Sequence, residues 1–222
     1  ENHLSEQGYL CMCGFNTHSA DSEELRVYKA SLLRAVLSAN LTNANLYQNY
    51  KKAFKDSETD PLTKLGTRRM IDRVLKAECE RNVRYRNPFS IAIIDLDNFK
   101  RINDTNGHAV GDKMLPMVAD VIHKGIRGTD TAARYGGDEF VLLMPETTLD
   151  EAMVLLERLR CRTENISHNG IKVTISCGLT ERTNSTDKSI EKLLKQADAA
   201  LYEAKRSGRN RVLTYQCQST AS

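Results

Sequence analysis

The sequence predicts an α/β (α+β) domain with a mixed central sheet of about five strands, flanked by helices and preceded by a long N-terminal helix. Three features predict this class: an apolar run of strand length at Phe89–Leu96, a hairpin signal at Gly136-Gly137, and helical segments between the strand-like runs. The element order, β-α-α-β-β-α-β-α-β with adjacent hairpin strands inside, predicts a mixed sheet with its helices mainly on one face.

Composition narrows the class of protein. The 222 residues are 40% hydrophobic, enough for a real core, and carry a net charge of only +3. Lysines and arginines are interleaved with acids, so we expect no nucleic-acid partner. The six cysteines lack framework spacing, which favours reduced thiols and a cytoplasmic location.

No apolar stretch approaches the ~20 residues that span a bilayer, so we expect no membrane contact within this fragment. Because residue 1 is Glu, we expect a piece of a longer protein, which an upstream segment could tether to a membrane.

Residues 1–21 predict the remnant of an upstream sensor domain, with the apolar run from Tyr9 to Cys13 as one strand. Four residues in this stretch allow two interpretations: His3, Cys11, Cys13 and His18. They could form a zinc site, or the cysteines could be small apolar residues on one face of the strand. We favour the second interpretation, because Cys-x-Cys lacks the usual spacing of a zinc knuckle.

Residues 22–58 predict a stalk or linker helix, because neither Pro nor Gly interrupts them. Apolar and small residues recur there at alternating three- and four-residue steps, as in a weak heptad seam. The seam consists of Leu25, Tyr28, Leu32, Ala35, Ala39, Thr42 and Leu46. This helix could lie on its own domain or join two copies of the chain as a parallel dimer stalk, and the pattern leaves both open.

The main domain is predicted over residues 59–217, with residues 218–222 as a tail. Asp60-Pro61 breaks the stalk helix, and Thr67 can cap a helix that runs to about Tyr85. Phe89–Leu96 follows as a central strand buried on both faces. The remaining predictions, in order, are a short helix, the loop Asn106-Gly107-His108, a helix from about Gly111 to Ile126, the Gly-Gly hairpin, a helix from Thr148 to Thr163, a strand from Ile171 to Leu179, a helix from Ser189 to Arg206 and a strand from Val212 to Tyr215.

Carboxylates follow both the central strand and the hairpin tip. Asp95 lies near the end of the strand, and Asp138 and Glu139 follow Gly136-Gly137, where a turn without side chains lets a ligand approach the backbone. Acids from neighbouring strands can converge on a hard cation, and a sparse set beside phosphates suits Mg²⁺. We choose Asp95 and Asp138 as the ligands. Asp97 could instead cap the next helix, and each acid taken alone could be structural.

Basic residues near these acids could bind phosphate. Lys100 lies at a helix start whose amides could receive a triphosphate. Lys205 and Arg209 are four residues apart and share a face if their helix continues that far. Two cations there could neutralise β- and γ-phosphates. Alternatively they are ordinary basic residues of a helix C-terminus that stops at Gly208, and taken alone these residues favour that interpretation.

From about Asp60 to Tyr215, the chain resembles the GGDEF family of diguanylate cyclases in four motifs of matching order and spacing. The motifs are Asp60-Pro61-Leu62-Thr63, Asp95 to Asp104 with Gly107-His108 and Gly111-Asp112, Gly136 to Phe140, and Leu201 to Asn210. The family joins two GTP molecules into cyclic di-GMP with release of two pyrophosphates, on a palm-like fold similar to nucleotide cyclases. The resemblance therefore implies a diguanylate cyclase. The N-terminal piece more weakly resembles the end of a GAF sensor domain.

The resemblance also implies roles for the matching residues. Asp95, Asp138, Glu139 and the backbone carbonyl of Leu96 resemble the ligands of two Mg²⁺ or Mn²⁺ ions. The catalytic set is Asp138, Glu139 and Lys205, in which Glu139 resembles the acid thought to assist with the metal or to deprotonate the attacking 3′-hydroxyl. The substrate-binding set is Phe99, Lys100, Asn103, His108, Asp112, Gly136, Gly137, Lys205 and Arg209.

Within the substrate-binding set, Asn103 and Asp112 resemble the guanine readers. Guanine presents adjacent N1–H and N2–H₂ donors that Asp112 can accept, which favours GTP over ATP and disfavours altered base choice. Phe99, Lys100, Lys205 and Arg209 resemble the phosphate path. His108 could lie near the active site or stabilise a turn. Two departures from the family, Lys64 and Thr67, fall where a turn and a cap are shaped, so we expect little effect on chemistry.

In the family each domain holds one GTP, so the resemblance implies a homodimer with the site between two protomers. Arg127 and Asp130 resemble its product-binding inhibitory site, with Arg158 and Arg81 as weaker candidates for a further contact. Taken alone, Arg-x-x-Asp is an ordinary surface pair at a helix end. The alternative function is a catalytically inactive domain that binds cyclic di-GMP as an effector, against which the intact acids and cations argue.

Overall fold

The computed structural model describes residues 23–183 and 189–215. The sensor remnant, the strand from Tyr9 to Cys13, the zinc alternative and the tail lie outside the described residues. The chain divides into two compact units, one ending at Phe54 and one beginning at Lys55. In the described ranges the elements are α1 (Glu23–Glu58), β1 (Gly66–Thr67), α2 (Arg68–Tyr85), β2 (Phe89–Leu96), α3 (Phe99–Asn106), α4 (His108–Gly125), β3 (Thr131–Arg134), β4 (Glu139–Pro145), α5 (Leu149–Glu164), β5 (Ser167–His168), β6 (Ile171–Lys172), β7 (Ile175–Arg182), α6 (Ile190–Arg206) and β8 (Val212–Thr214).

The long helix α1 exposes large apolar side chains along its length. They are Val27, Leu32, Leu33, Val36, Leu37, Leu41 and Leu46. Leu32 and Leu46 belong to the predicted heptad seam, whereas the other five do not. Among the described residues, no helix is both long and apolar enough to cross a membrane.

A six-stranded mixed sheet forms the centre of the second unit, in the order β1-β3-β4-β2-β7-β8. All eight residues of β2 are buried, which confirms the prediction of a central strand covered on both faces. Strand β2 runs antiparallel to β4 and β7, while β1–β3 and β7–β8 are parallel pairs. The predicted fold class is confirmed, and the short strand β1 brings the sheet from about five strands to six.

Helices cover both faces of this sheet, so the expectation of helices mainly on one face is wrong. Helices α2 and α6 pack against the face that carries Ile91, Ile93, Val141 and Leu143. Helices α3, α4 and α5 pack against the opposite face, where Ile94, Phe140 and Leu142 lie. Because adjacent strand residues point to opposite faces, an unbroken apolar run requires cover on both sides.

Two element boundaries differ from the predictions. The expected strand from Ile171 to Leu179 is divided, since Ile171–Lys172 pairs with Ser167–His168 in a separate hairpin and the central-sheet strand is Ile175–Arg182. Helix α4 begins earlier than expected, at His108. Helix α6 ends at Arg206, as predicted.

The cap predicted for α2 is present, and a side chain also caps α6. Thr67 precedes α2, and its side chain accepts a hydrogen bond from the Met70 amide. Ser189 caps α6 by accepting from the Lys192 amide. These caps use main-chain donors that the helices leave unpaired at their N-termini.

Helix α6 lies directly on β7 at Gly178. A Cβ added there would come within 2.0 Å of the Ala197 carbonyl oxygen and 2.3 Å of the Leu201 amide nitrogen. The absent side chain therefore sets how closely α6 approaches the sheet, and with it the position of the last turn of the helix, which carries Lys205.

Candidate active site

The predicted acids meet where β2 ends and β4 begins. Asp95 is the register partner of Glu139, so both side chains lie on the same face of the sheet. The Leu96 amide donates a hydrogen bond of 3.3 Å to the Asp138 carbonyl, which ties the end of β2 to the hairpin loop. The sheet register thus brings together Asp95, Leu96, Asp138 and Glu139, although Asp95 and Glu139 are 44 positions apart in the sequence.

Lys205 reaches this acidic centre from the last turn of α6. Its Nζ lies 2.8 Å from Asp95 Oδ2, and the Asp95 side chain is only 8% exposed. Burial raises the pKa of Asp95 to about 6; the hydrogen bond and charge of Lys205 counteract part of that rise, and the charges of Asp138 and Glu139 add to it. The centre therefore concentrates negative charge that one lysine offsets only in part.

The donor set fits a hard divalent cation bound together with phosphate. Within residues 23–183 and 189–215, no three His, Cys, Asp or Glu side chains are grouped so that they could hold a metal ion by themselves. Mg²⁺ usually takes only one or two protein carboxylates and fills its remaining positions with substrate phosphates and water. Asp95 and Glu139 are such a pair of carboxylates, and the mutual repulsion that raises the Asp95 pKa is what a bound cation would relieve.

Arg134 holds the glycine loop in place, a role that our sequence analysis missed. Its Nε and Nη2 donate hydrogen bonds of 3.1 Å and 2.8 Å to the Gly137 carbonyl, and its Nη1 lies 3.4 Å from Asp60 Oδ2. Asp60 also accepts from the amide and hydroxyl of Thr63, both at 2.7 Å. The loop between β3 and β4 is therefore tied to the turn that opens the domain. The motif that begins at Arg134 was the sequence signal available for this role. Its partner Asp60, however, lies 74 positions away in the sequence.

Gly136 and Gly137 lie at the tip of the predicted hairpin, since β3 and β4 pair antiparallel, although the connecting loop is longer than the two glycines. The loop spans Tyr135 to Asp138, between β3 and β4, and neither glycine has a positive φ. A Cβ at Gly137 would meet nothing within 4 Å, whereas one at Gly136 would come 2.8 Å from Glu139 Oε2. The glycines thus leave space around the acids.

Asp97 is a buried anchor and not a helix cap. Asn98 is the N-cap of α3, with φ 56° and no side-chain capping bond. The Asp97 carboxylate accepts hydrogen bonds from the hydroxyls of Ser176 (2.6 Å) and Thr174 (2.7 Å), and from the backbone amide of Asn210 (3.0 Å). These contacts attach the segment after α6 to the end of β2.

Arg209 lies in that segment, outside helix α6, so the condition under which Lys205 and Arg209 would share a helical face is not met. The helix ends at Arg206 with Ser207 as its C-cap, and Gly208, Arg209 and Asn210 all have positive φ. The Arg209 side chain is exposed. At the start of α3, Phe99 is buried and Lys100 is exposed, beside helix amides that no capping side chain covers.

The two expected guanine readers are neighbours on α3 and α4. A Cβ at Gly111 would come 2.0 Å from Asn103 Oδ1, so Asn103 packs directly against the residue before Asp112. The Asn103 Oδ1 atom is buried without a hydrogen-bond partner in the part of the chain that the structure describes. Asp112 is exposed, as is His108 at the first position of α4. The unpaired Asn103 oxygen and the exposed Asp112 carboxylate could together accept hydrogen bonds from a ligand that presents several donors on one side.

Arg127 and Asp130 lie at the other end of β3 from the glycine loop. Asp130 Oδ2 accepts from the Arg127 amide at 2.8 Å, and its buried Oδ1 lacks a hydrogen-bond partner among the described residues. Both residues line a cavity of about 320 Å³ together with Lys64 and His123. Arg158 does not line this cavity; it donates from α5 to the Gly125 carbonyl at 2.7 Å. The three basic residues of the lining and the unpaired acceptor are suited to an anionic ligand with hydrogen-bond donors.

Comparison with protein families gives a match over most of the chain. A family model described as "Diguanylate cyclase, GGDEF domain" matches residues 57–211. Diguanylate cyclase DosC of Escherichia coli (strain K12) is 35% identical over 201 residues, which are 89% of this chain and 43% of DosC. Response regulator PleD of Caulobacter vibrioides (strain NA1000 / CB15N) is 38% identical over 174 residues, which are 76% of this chain and 38% of PleD. The chain thus spans less than half the length of these relatives.

A solved structure has the same architecture. It is the crystal structure of the coiled coil and GGDEF domain of DgcB from Caulobacter crescentus in complex with c-di-GMP. The TM-score is 0.76 at 30% sequence identity, with 83% of this chain and 99% of that chain covered.

Proposed function

Because the chain belongs to the GGDEF family of diguanylate cyclases, we propose that it condenses two GTP molecules into cyclic di-GMP with release of two pyrophosphates. The observation that carries this proposal is the register of Asp95 with Glu139, with Lys205 bonded to Asp95 at 2.8 Å. The acids that would bind a cation and the lysine that would bind phosphate then lie close together, as nucleotidyl transfer requires.

Asp95, Asp138, Glu139 and the Leu96 carbonyl would hold two Mg²⁺ or Mn²⁺ ions. When bound, the metal would neutralise phosphate charge and promote ionisation of the attacking 3′-hydroxyl. Glu139 begins β4 and is half-buried, so it can take the hydroxyl proton at a carboxylate oxygen.

Four residues would position the triphosphate. The uncapped helix start at Phe99 and Lys100 offers main-chain amides and one ammonium group. Lys205 and Arg209 approach from the end of α6 and the segment after it, and they would neutralise the charge that develops on the leaving pyrophosphate.

Asn103 and Asp112 would select guanine. The Asp112 carboxylate can accept from both N1–H and N2–H₂, and the unpaired Asn103 oxygen is a further acceptor nearby. Adenine lacks these adjacent donors and would leave the buried Asn103 oxygen unpaired, at a cost of about 1–3 kcal/mol. GTP is therefore the expected substrate.

The reaction would need two copies of the chain, because each domain would bind one GTP and the new bonds join two nucleotides. The exposed apolar side chains of α1 would support a parallel dimer stalk. The structural relative described as a coiled coil and GGDEF domain supports such an arrangement.

The proposal predicts that purified protein with GTP and Mg²⁺ forms cyclic di-GMP, that ATP does not replace GTP, and that Asp138→Ala abolishes turnover. Nucleotide chromatography measures the product. Asp120→Ala is the matched control, since Asp120 is an exposed acid paired with Lys124 on α4. Turnover that survives Asp138→Ala would contradict the assigned acidic centre.

The cavity at Arg127 and Asp130 supports product inhibition as a second part of the proposal. Arg127→Ala should weaken cyclic di-GMP binding by about 10–100-fold, through loss of charge-assisted hydrogen bonds, and leave the initial turnover intact. Calorimetric titration with cyclic di-GMP measures the binding, with Lys124→Ala, a change at an exposed lysine near the end of α4, as the control. Wild-type protein that binds cyclic di-GMP but never forms it would favour the effector alternative.

A further inference from the structure

Three consecutive residues after α6 have positive φ values, and two of them carry a Cβ. Gly208, Arg209 and Asn210 have φ values of 117°, 63° and 47°. Left-handed conformations are disfavoured for residues with a Cβ, so two such residues in succession need compensating contacts to persist. Arg209 is at the middle of this segment, and its side chain is exposed.

The compensating contacts come from outside the segment: the Arg209 amide donates to the Ala204 carbonyl on α6 at 3.0 Å, and three further hydrogen bonds converge on Asn210. The Asp97 carboxylate accepts the Asn210 amide at 3.0 Å. The Asn210 side chain accepts from Arg160 Nη1 at 3.0 Å and donates to Glu164 Oε1 at 3.1 Å, both on α5. The residue after Arg209 is therefore held by the main sheet and by a neighbouring helix.

Asp97 is itself firmly fixed. It is 4% exposed, its amide donates to the Thr174 carbonyl at 2.9 Å, and its carboxylate takes both nearby hydroxyls, from Ser176 and Thr174. It also lies two residues after Asp95 on the same strand end. One buried carboxylate thus links the strand that carries the acidic centre to the segment that carries Arg209.

We propose that Asp97 is a positioning residue that acts through Asn210 to hold the Arg209 guanidinium at the phosphate end of the GTP site. This inference rests on the proposed function. Asp97 does not touch the nucleotide, and its carboxylate is committed to three protein donors. Asp97 would instead set the distance between the Arg209 guanidinium, which would bind phosphate, and the acids around Asp95, which would bind the metal.

A double-mutant cycle tests the proposal, using the KM for GTP and the kcat of cyclic di-GMP formation by the full chain. Asp97→Ala should raise KM by about 5–20-fold with a smaller change in kcat, and Arg209→Ala by about 10–100-fold. In the Arg209→Ala background, Asp97→Ala should change KM by less than about twofold, because the two residues act in series. Asp97→Asn retains an acceptor for the Asn210 amide, so its KM should stay within about threefold of wild type.

Asn82→Ala is the matched control for a loss of buried hydrogen bonds. Asn82 is 2% exposed and donates to the Asn87 and Thr183 carbonyls at the opposite end of the sheet. It should lower the melting temperature as much as Asp97→Ala and leave KM unchanged. If Asp97→Ala does not fold, the same cycle is run with Ser176→Ala, for which we expect a rise in KM of about 2–5-fold.

Two outcomes would overturn the inference while leaving the proposed function in place. One is an effect of Asp97→Ala, or of its Ser176 substitute, that is equally large with and without Arg209. The other is a KM for Asn82→Ala that rises as much as that of Asp97→Ala. Wild-type protein that forms no cyclic di-GMP would instead contradict the proposed function itself.

Discussion

Asp95 combines a functional position with an electrostatic cost. Its carboxylate is nearly buried, and burial together with the neighbouring Asp138 and Glu139 raises its pKa to about 6 in spite of Lys205. In the unfolded chain the pKa of the same group is near the ordinary aspartate value of 3.8. Between these two values the folded state binds more protons than the unfolded state, so rising pH removes stability.

Asp95→Asn should therefore stabilise the metal-free protein at neutral pH. Relative to wild type, the gain in unfolding free energy should be near zero at about pH 4, grow through about pH 6 and then level off at about 1–3 kcal/mol. Thermal denaturation in a chelator across this range measures it. Added Mg²⁺ should narrow the difference, because the cation would bind only the wild-type acid. A gain that is equally large at both ends of the range would show that repacking, and not charge, is the cause.

Strand β3 connects the cavity of the proposed inhibitory site with the glycine loop of the candidate active site. Asp130 precedes it and lines the cavity of the proposed inhibitory site, while Arg134 ends it and holds the Gly137 carbonyl. Arg134 also pairs with Asp60, whose pKa burial would raise, but the hydrogen bonds from Thr63 and the charge of Arg134 bring it below its ordinary value. The glycine loop therefore depends on contacts with both β3 and the opening turn.

Arg134→Ala should loosen that loop, lowering the unfolding free energy by about 1–3 kcal/mol and kcat/KM by about tenfold. Arg134→Lys should recover the pairing with Asp60 but little of the turnover, because one ammonium group cannot reproduce the two parallel bonds to Gly137. Arg162→Ala, an exposed arginine on α5, is the control. Full activity in Arg134→Ala would separate the loop from catalysis. Denaturant titration and steady-state kinetics measure the two effects.

The contact between α6 and β7 gives a second prediction about the packing of elements. Gly178→Ala places a Cβ against the backbone of Ala197 and Leu201, which cannot move without the helix. We expect a loss of at least about 3 kcal/mol and a displaced Lys205, hence greatly reduced turnover. Gly128→Ala is the control, since a Cβ there meets nothing within 4 Å. Calorimetry and activity assays compare the two, and near-wild-type stability of Gly178→Ala would contradict the close approach.

For the molecule as a whole, the proposed reaction makes activity a property of pairs of chains. Specific activity should then rise with protein concentration until the dimer saturates. Leu32→Glu lies on the predicted heptad seam and should shift sedimentation toward the monomer and reduce activity at low concentration. Leu33→Glu, on the adjacent exposed position outside the seam, is the matched control. Equal effects of both substitutions would place the dimer contact on another face of α1.

The sequence alone determined the family, the central strand and the residue types of the acidic centre. Four ordered motifs identify the family because each one constrains several residues at fixed spacing. The run Phe89–Leu96 identifies its strand because a mostly apolar segment of that length must be covered on both faces. Local signals such as Thr67 and Ser189 placed two helix starts, because capping involves only residues three apart.

Only the tertiary structure decided which of these residues meet. The pairing of Asp95 with Glu139 follows from sheet register, and the contacts of Arg134 with Asp60 and of Asp97 with Asn210 join segments that no local pattern relates. The sequence left open whether Arg209 shares a helical face with Lys205; in the structure α6 ends at Arg206, and Asn210 in the following segment donates its amide to the distant Asp97 carboxylate. Spacing along a chain encodes local geometry, whereas long-range hydrogen bonds depend on how separate elements pack.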